Sequence, residues 1–195
     1  MKQDIIVHRG NSPVNEQSPI EQVRYYIDAG FTKIEIDIYA TSEMTYKFCH
    51  PQDDDKVEAI HDLYDGYLEK LVAKYPNVEW FVDLKCLNLD EVPLKMMQHL
   101  SDTFGNQAVF VAAQAEILEF MNNQGRQTGQ YFKENIEQSL SYEPDFYIQS
   151  MADDLKYPNQ KTIVQCPTID GALDSLSRGF AGATVDGCLL INTVR

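Results

Sequence analysis

The chain has 195 residues and carries 30 Asp and Glu against 16 Lys and Arg, a formal net charge of −14 at pH 7. A surface of that sign repels the phosphates of nucleic acid and anionic lipid, so neither is an expected partner. Hydrophobic residues make up 44% of the chain, enough to bury a core, and the length predicts one domain spanning residues 1–195. No apolar run approaches the roughly 20 residues of a membrane span. The chain starts almost directly with a strand and lacks the basic, apolar leader of a signal peptide. Cys49, Cys86, Cys166 and Cys188 form no Cys-x-x-Cys pair and read as buried free thiols. The expected setting is reducing and cytoplasmic; oligomeric state is not legible.

Strand and helix patterns alternate along the chain. Residues 4–8 (Asp-Ile-Ile-Val-His) predict a strand that runs into His8 and Arg9, and Gly10 to Pro13 are turn formers. Residues 18–30 predict a helix with Ser18 as N-cap, Pro19 as first helical residue, Glu21 closing a capping box and Gly30 as the stop. Residues 33–39 (Lys-Ile-Glu-Ile-Asp-Ile-Tyr) alternate strictly and predict a second strand. Residues 45–50 predict a hairpin or excursion ending in His50. A helix at 63–75, a strand at 78–85 and a helix at 89–104 follow, then a strand at 108–113 and a helix at 115–125. The second half is weaker. It predicts strands at 127–132, 145–151, 161–167 and 184–192, helices at 134–142 and 169–179, and at most a short helix at 152–158.

About eight strands with helices between them imply a parallel sheet, and eight βα units imply a closed parallel (β/α)8 TIM barrel. Such barrels run to about 250 residues, so this one must be compact with short loops. An open doubly wound sheet is the alternative, but no Gly-rich dinucleotide fingerprint follows the first strand.

Barrel active sites sit at the carboxyl ends of the strands. His8 and Arg9 end the first strand. Glu35 and Asp37 are two apart and share one face of the second, with Ile34, Ile36 and Ile38 turned toward the helices. Two acids at one level of a lumen are costly unless a cation sits between them. Asp83 and Lys85 share a face of the next barrel strand, and His50 ends the excursion. Plainer readings exist: an exposed edge for Glu35 and Asp37, an ion pair for Asp83 and Lys85, a packing role for His8. His61 and His99, before and within predicted helices, read as structural or solvated. Tyr131 and Tyr147 are the few anchors near strand tips in the second half.

In order and spacing these residues resemble the glycerophosphodiester phosphodiesterase family, within the phospholipase C-like phosphodiesterases. The family's His-Arg-Gly is matched by His8-Arg9-Gly10, its Glu-Asn-Thr by the similar Glu16-Gln17-Ser18, and its Glu-x-Asp by Glu35 and Asp37. His50 stands for its second histidine. Asp83-Leu84-Lys85 stands for Glu-x-Lys, and the closing Val-Asp-Gly-Cys-Leu-Leu-Ile-Asn-Thr is similar in style. The motifs cover the first 85 residues. The departures are Pro51 in place of an Asp, and an Asp83 one methylene shorter than Glu.

The resemblance implies a metal-dependent hydrolysis of a small phosphodiester bearing a glycerol-like alcohol. Glu35, Asp37 and Asp83 would hold the cation, and hard oxygen ligands favour Mg²⁺ or Ca²⁺. Arg9 and Lys85 would bind phosphate, Glu16 would support Arg9 or a substrate hydroxyl, and His8 and His50 would divide the proton work. The departures keep two other readings open: a catalytically inactive phosphate- or partner-binding barrel, and a related lyase that releases a cyclic phosphate.

Overall fold

The structure is a computed structural model that describes residues 4–12, 18–42, 44–85, 94–131, 140–151 and 157–191. Its strands are β1 (Ile5–His8), β2 (Lys33–Ala40), β3 (Thr45–Lys47), β4 (His61–Asp62), β5 (Glu79–Lys85), β6 (Ala108–Ala112), β7 (Gln127–Tyr131), β8 (Phe146–Ser150), β9 (Thr162–Cys166) and β10 (Gly182–Asp186). Parallel pairing runs β1–β2–β5–β6–β7–β8–β9–β10 and returns to β1, so eight strands close into the predicted barrel. β3 and β4 are antiparallel additions to β2, which is the predicted excursion. The helices α1 (Pro19–Asp28), α2 (Tyr67–Lys74), α3 (Leu94–Phe104), α4 (Ala115–Asn123) and α5 (Ile169–Ser177) follow barrel strands. The start of α1 is as expected: the Glu21 carboxylate accepts the Ser18 N–H at 2.9 Å, and Gly30 ends it at φ 94°. Of the helix predicted at 134–142, residues 140–142 are described and are not helical; the rest lies outside the described residues, as does most of 152–158.

Strand alternation divides the apolar residues into two layers. Ile34, Ile36 and Ile38 pack outward with Val23, Tyr26, Leu68 and Met96 of the helices. Ile6, Phe81, Val109, Val111, Ile148 and Ile163 fill the lumen. Two residues beyond Ile6 on the inward row stands His8, and two beyond Phe81 stands Asp83. The apolar plug therefore forms the floor on which the polar residues rest.

The last element departs from the sequence expectation. The strand predicted at 184–192 ends at Asp186, and Gly187–Ile191 is a short helix, α6. β1 stops at His8, the register partner of Asp186, because Arg9 turns away at φ 52°. With no strand left to pair, the apolar tail turns and buries Leu190 in the outer layer. Gly187 permits this turn, since a Cβ there would stand 2.4 Å from the Tyr26 hydroxyl.

Gly10 makes a similarly close approach. Its N–H donates to the Glu35 carbonyl at 2.8 Å, and a Cβ would come within 2.4 Å of Ile34 Cγ2. Gly10→Ala is expected to cost about 1–3 kcal/mol, as overpacking does. Urea denaturation would show it as a lowered midpoint; an unchanged midpoint would mean the loop is not pinned to β2.

Candidate active site

The barrel mouth brings together five of the predicted strand residues. Glu35 and Asp37 come from β2, Asp83 and Lys85 from β5, with Asp37 and Asp83 direct register partners, and His8 ends β1. Glu35, Asp37 and Asp83 are buried, and their ligand oxygens lie within 4.8 Å of one another. Glu35 Oε2 accepts the Arg9 backbone N–H at 2.5 Å. Glu35 Oε1 and both oxygens of Asp37 have no hydrogen-bond partner. Lys85 Nζ lies 2.5 Å from Asp83 Oδ2 and 3.5 Å from Asp37 Oδ1. The plain ion-pair reading of Asp83 and Lys85 is thus what the structure shows, with Asp37 added.

One ammonium cannot offset three buried carboxylates. Burial, then the charge of Asp83, pushes the Glu35 carboxyl up to about 8. Asp37 is raised well above the usual carboxylate range by burial and by the charges of Glu35 and Asp83. Burial alone would lower Lys85, but Asp83 and Asp37 outweigh it and hold it charged. Carboxylate oxygens without hydrogen-bond partners converging in a buried site fit a divalent cation, which would replace the protons these groups otherwise retain.

This gives the stability a definite pH dependence. Glu35 titrates near 4.5 unfolded and about 8 folded, so between these values the folded state binds more protons. Without a cation, stability should therefore fall as pH rises through that window, by up to about 1.4 kcal/mol per pH unit for one such group. Thermal midpoints in chelator should drop from pH 5 to 8, and Mg²⁺ or Ca²⁺ should restore them most at pH 8. A flat profile in chelator would contradict the buried acid cluster.

The two histidines are set up differently. His8 Nδ1 lies 2.5 Å from Asp186 Oδ1, across the β1–β10 seam that closes the barrel. The hydrogen bond to His8 holds the Asp186 carboxyl below its usual range. In the neutral form of the ring this contact places the proton on Nδ1 and leaves Nε2 as the acceptor. His50 caps the short 3₁₀ turn Pro51–Lys56, and its Nδ1 accepts the Gln52 N–H at 3.1 Å. Burial, then the charges of Arg9 and Lys85, pushes His50 down to about 4. His8 and His50 are therefore held by different partners, a carboxylate on one Nδ1 and a backbone N–H on the other, which their identical side chains alone do not indicate.

Arg9 is tied to the same turn. Its Nη2 lies 2.7 Å from Asp53 Oδ2, and Ser12 Oγ donates to that oxygen at 2.6 Å. Lys56 takes the other oxygen of Asp53 at 2.7 Å. Burial would raise the Asp53 carboxyl, but these hydrogen bonds and the Arg9 charge lower it. Pro51 starts the turn that brings Asp53 back to Arg9, so an acid reaches the motif three residues after His50. Asn11 acts beneath them: its side chain donates to the Asp37 carbonyl at 2.7 Å and accepts the Asp37 N–H at 3.1 Å. It stands in for a strand and fixes the height of Asp37 in the mouth. Tyr131, from β7, hydrogen-bonds Asp83 across the lumen.

Glu16 lies outside the described residues. Tyr147 stacks on Tyr157 at 3.6 Å and does not line the mouth cavities. His61 and His99 lie away from the mouth, His61 on Asp65 at 2.9 Å and His99 beside Glu69 at 3.5 Å. Cys49 and Cys166 are free and buried, as expected. Beside His8 opens a cavity of about 490 Å³ lined by Ser150, Met151, Gln165, Cys166, Pro167, Thr184 and Asp186. Among the described residues no cation lines it.

A closed barrel with an acid cluster at the carboxyl ends of β2 and β5 defines a class of site suited to a divalent cation. Among solved structures the chain is similar to a glycerophosphodiester phosphodiesterase from Thermotoga maritima, with TM-score 0.64, 16% identity and coverage of 99% of this chain and 98% of that one. It is similar also to an Oleispira antarctica phosphodiesterase in complex with the product sn-glycerol-3-phosphate (TM-score 0.62, 12% identity, 98% and 96% covered). A glycerophosphodiester phosphodiesterase from Agrobacterium tumefaciens matches with TM-score 0.60 and 12% identity over 94% of both chains. At these identities the likeness is one of fold. No family model matches the chain, and no curated protein does. Among the described residues no helix is long and apolar enough to cross a membrane.

Proposed function

We propose that the chain is a metal-dependent phosphodiesterase that hydrolyses a glycerophosphodiester-like substrate to an alcohol and a phosphomonoester. The observation that carries this reading is the buried, partly unpartnered cluster of Glu35, Asp37 and Asp83, flanked by His8, Arg9, His50 and Lys85. Glu35, Asp37 and Asp83 would hold Mg²⁺ or Ca²⁺, which would supply positive charge for a phosphoryl oxygen. Arg9 and Lys85 add two fixed positive groups for the diester, and the Asp53 contacts hold the Arg9 guanidinium in place. His8, with Asp186 on Nδ1, takes the proton of the attacking hydroxyl at Nε2. Asp186 then stabilises the imidazolium that forms. A diester anion offsets the charges of Arg9 and Lys85, which add to burial in holding His50 low, and His50 then takes a proton from solvent and gives it to the leaving alcohol. When the attacker is the substrate's own neighbouring hydroxyl, a cyclic phosphate forms. Water then opens it with the two histidines in exchanged roles. The cavity lined by Ser150, Gln165 and Thr184 receives the alcohol, with hydroxyl and amide groups for an uncharged or cationic headgroup.

The test is a panel of glycerophosphocholine, glycerophosphoethanolamine and glycerophosphoglycerol assayed with Mg²⁺, Ca²⁺ or chelator, with products read by mass. A phosphomonoester released only with the cation supports the reading. A cyclic phosphate as the end product would make the protein a lyase. A cation that binds with no turnover of any diester would leave a binding barrel.

A further inference from the structure

A second cavity lies outside the barrel, in the groove between α1 and α2 beside β4. It has a volume of about 350 Å³, and its charged lining is Arg24 from α1, Lys70 and Lys74 from α2, and one carboxylate, Asp65, beside His61. Elsewhere on this acidic surface Lys33, Lys47, Lys56, Lys161 and Arg178 each lie within 4.0 Å of a carboxylate. Among the described residues none of the three groove cations does.

The acids nearest the groove are already engaged. Asp65 accepts the Tyr67 N–H at 2.7 Å on one oxygen and meets His61 Nδ1 at 2.9 Å with the other. Glu21, one turn before Arg24, has its carboxylate on Ser18, and the Arg24 charge acts on it only as a smaller influence. Lys70 and Lys74 are four apart on one helix, a like-charge spacing that destabilises α2. Lys74 lies 5.3 Å from the centre of the Tyr75 ring, and Ile20, Leu71 and Tyr67 supply an apolar wall.

Three cations facing a single lining carboxylate, Asp65, whose oxygens are already engaged, over an apolar wall match a ligand with a dianionic head and a short carbon body. A nucleic acid or an anionic bilayer would bring its charge against the whole chain at −14; a small anion meets only the groove. We propose that the α1–α2 groove binds a small organic phosphate monoester, its phosphate among Arg24, Lys70 and Lys74 and its carbon body against Ile20, Leu71 and Tyr67. The inference does not depend on the catalytic reading, because none of these residues belongs to the barrel mouth.

Phenyl phosphate titrated by calorimetry in the presence of chelator tests it. The wild type and Arg9→Gln should bind alike, and salt should weaken both. The double variant Lys70→Gln/Lys74→Gln should bind about 10–100-fold more weakly, at a melting midpoint no lower than that of the wild type. Absence of saturable binding, or equal affinity in the double variant, overturns the proposal. Loss of binding in Arg9→Gln would put the ligand in the barrel mouth and also overturns it. Co-sedimentation with phosphatidic acid vesicles that the double variant abolishes would assign the groove to a membrane surface instead.

Discussion

Asp37→Ala is expected to remove measurable binding of Mg²⁺ and Ca²⁺ and, with it, turnover. Asp37 contributes two oxygens that accept no hydrogen bond, more than either neighbour, with only the Lys85 ammonium 3.5 Å from one of them. Asp83 already accepts from Lys85 and Tyr131, and one oxygen of Glu35 is taken by the Arg9 N–H. Losing a metal-held charge at the phosphoryl group is worth several kcal/mol, so turnover should fall by about 10³-fold or more. Calorimetry and initial rates would check both halves. Equal cation affinity in the wild type and Asp37→Ala would refute the metal centre. Asp83→Glu is the complementary variant: if the longer arm reaches past Lys85, cation affinity should hold or rise.

His8→Ala and His50→Ala should each lower turnover by about 10²–10⁴-fold while leaving cation binding nearly intact. The two losses should differ in kind. His8 works through Asp186, so Asp186→Asn should reproduce part of the His8→Ala loss by upsetting the tautomer that leaves Nε2 free. His50 is held low by burial and by Arg9 and Lys85, so its imidazole in the free protein should stay neutral down to about pH 4 by NMR. His61→Ala and His99→Ala should leave turnover unchanged, because both rings lie outside the mouth. Near-normal rates in His50→Ala would mean that another group delivers the proton to the leaving alcohol.

The residues legible in the sequence are those whose position follows from strand alternation alone. Glu35 and Asp37 must share a face because they are two apart in a strand, and Asp83 and Lys85 likewise. The residues that were not legible depend on closure of the barrel. Asp186 meets His8 across 178 residues of sequence, and nothing near Asp186 marks it as a histidine partner. Asn11 looks like a turn residue until the turn is seen lying against the Asp37 backbone. Asp53 sits in an acidic run that reads as a solvated surface, yet it is buried beneath Arg9. The strand assigned to 184–192 failed because an apolar run of that length suits a buried strand or a short helix equally. What decides is the end of β1, which withdraws the partner strand at His8.

Phosphorus NMR of a glycerophosphodiester incubated with the protein, first with Mg²⁺ or Ca²⁺ and then with chelator, tests the central claim most directly. The acid cluster predicts that a phosphomonoester signal grows with the cation, stops on chelation and is absent with Asp37→Ala. Hydrolysis that continues undiminished in chelator, or in Asp37→Ala, would contradict it.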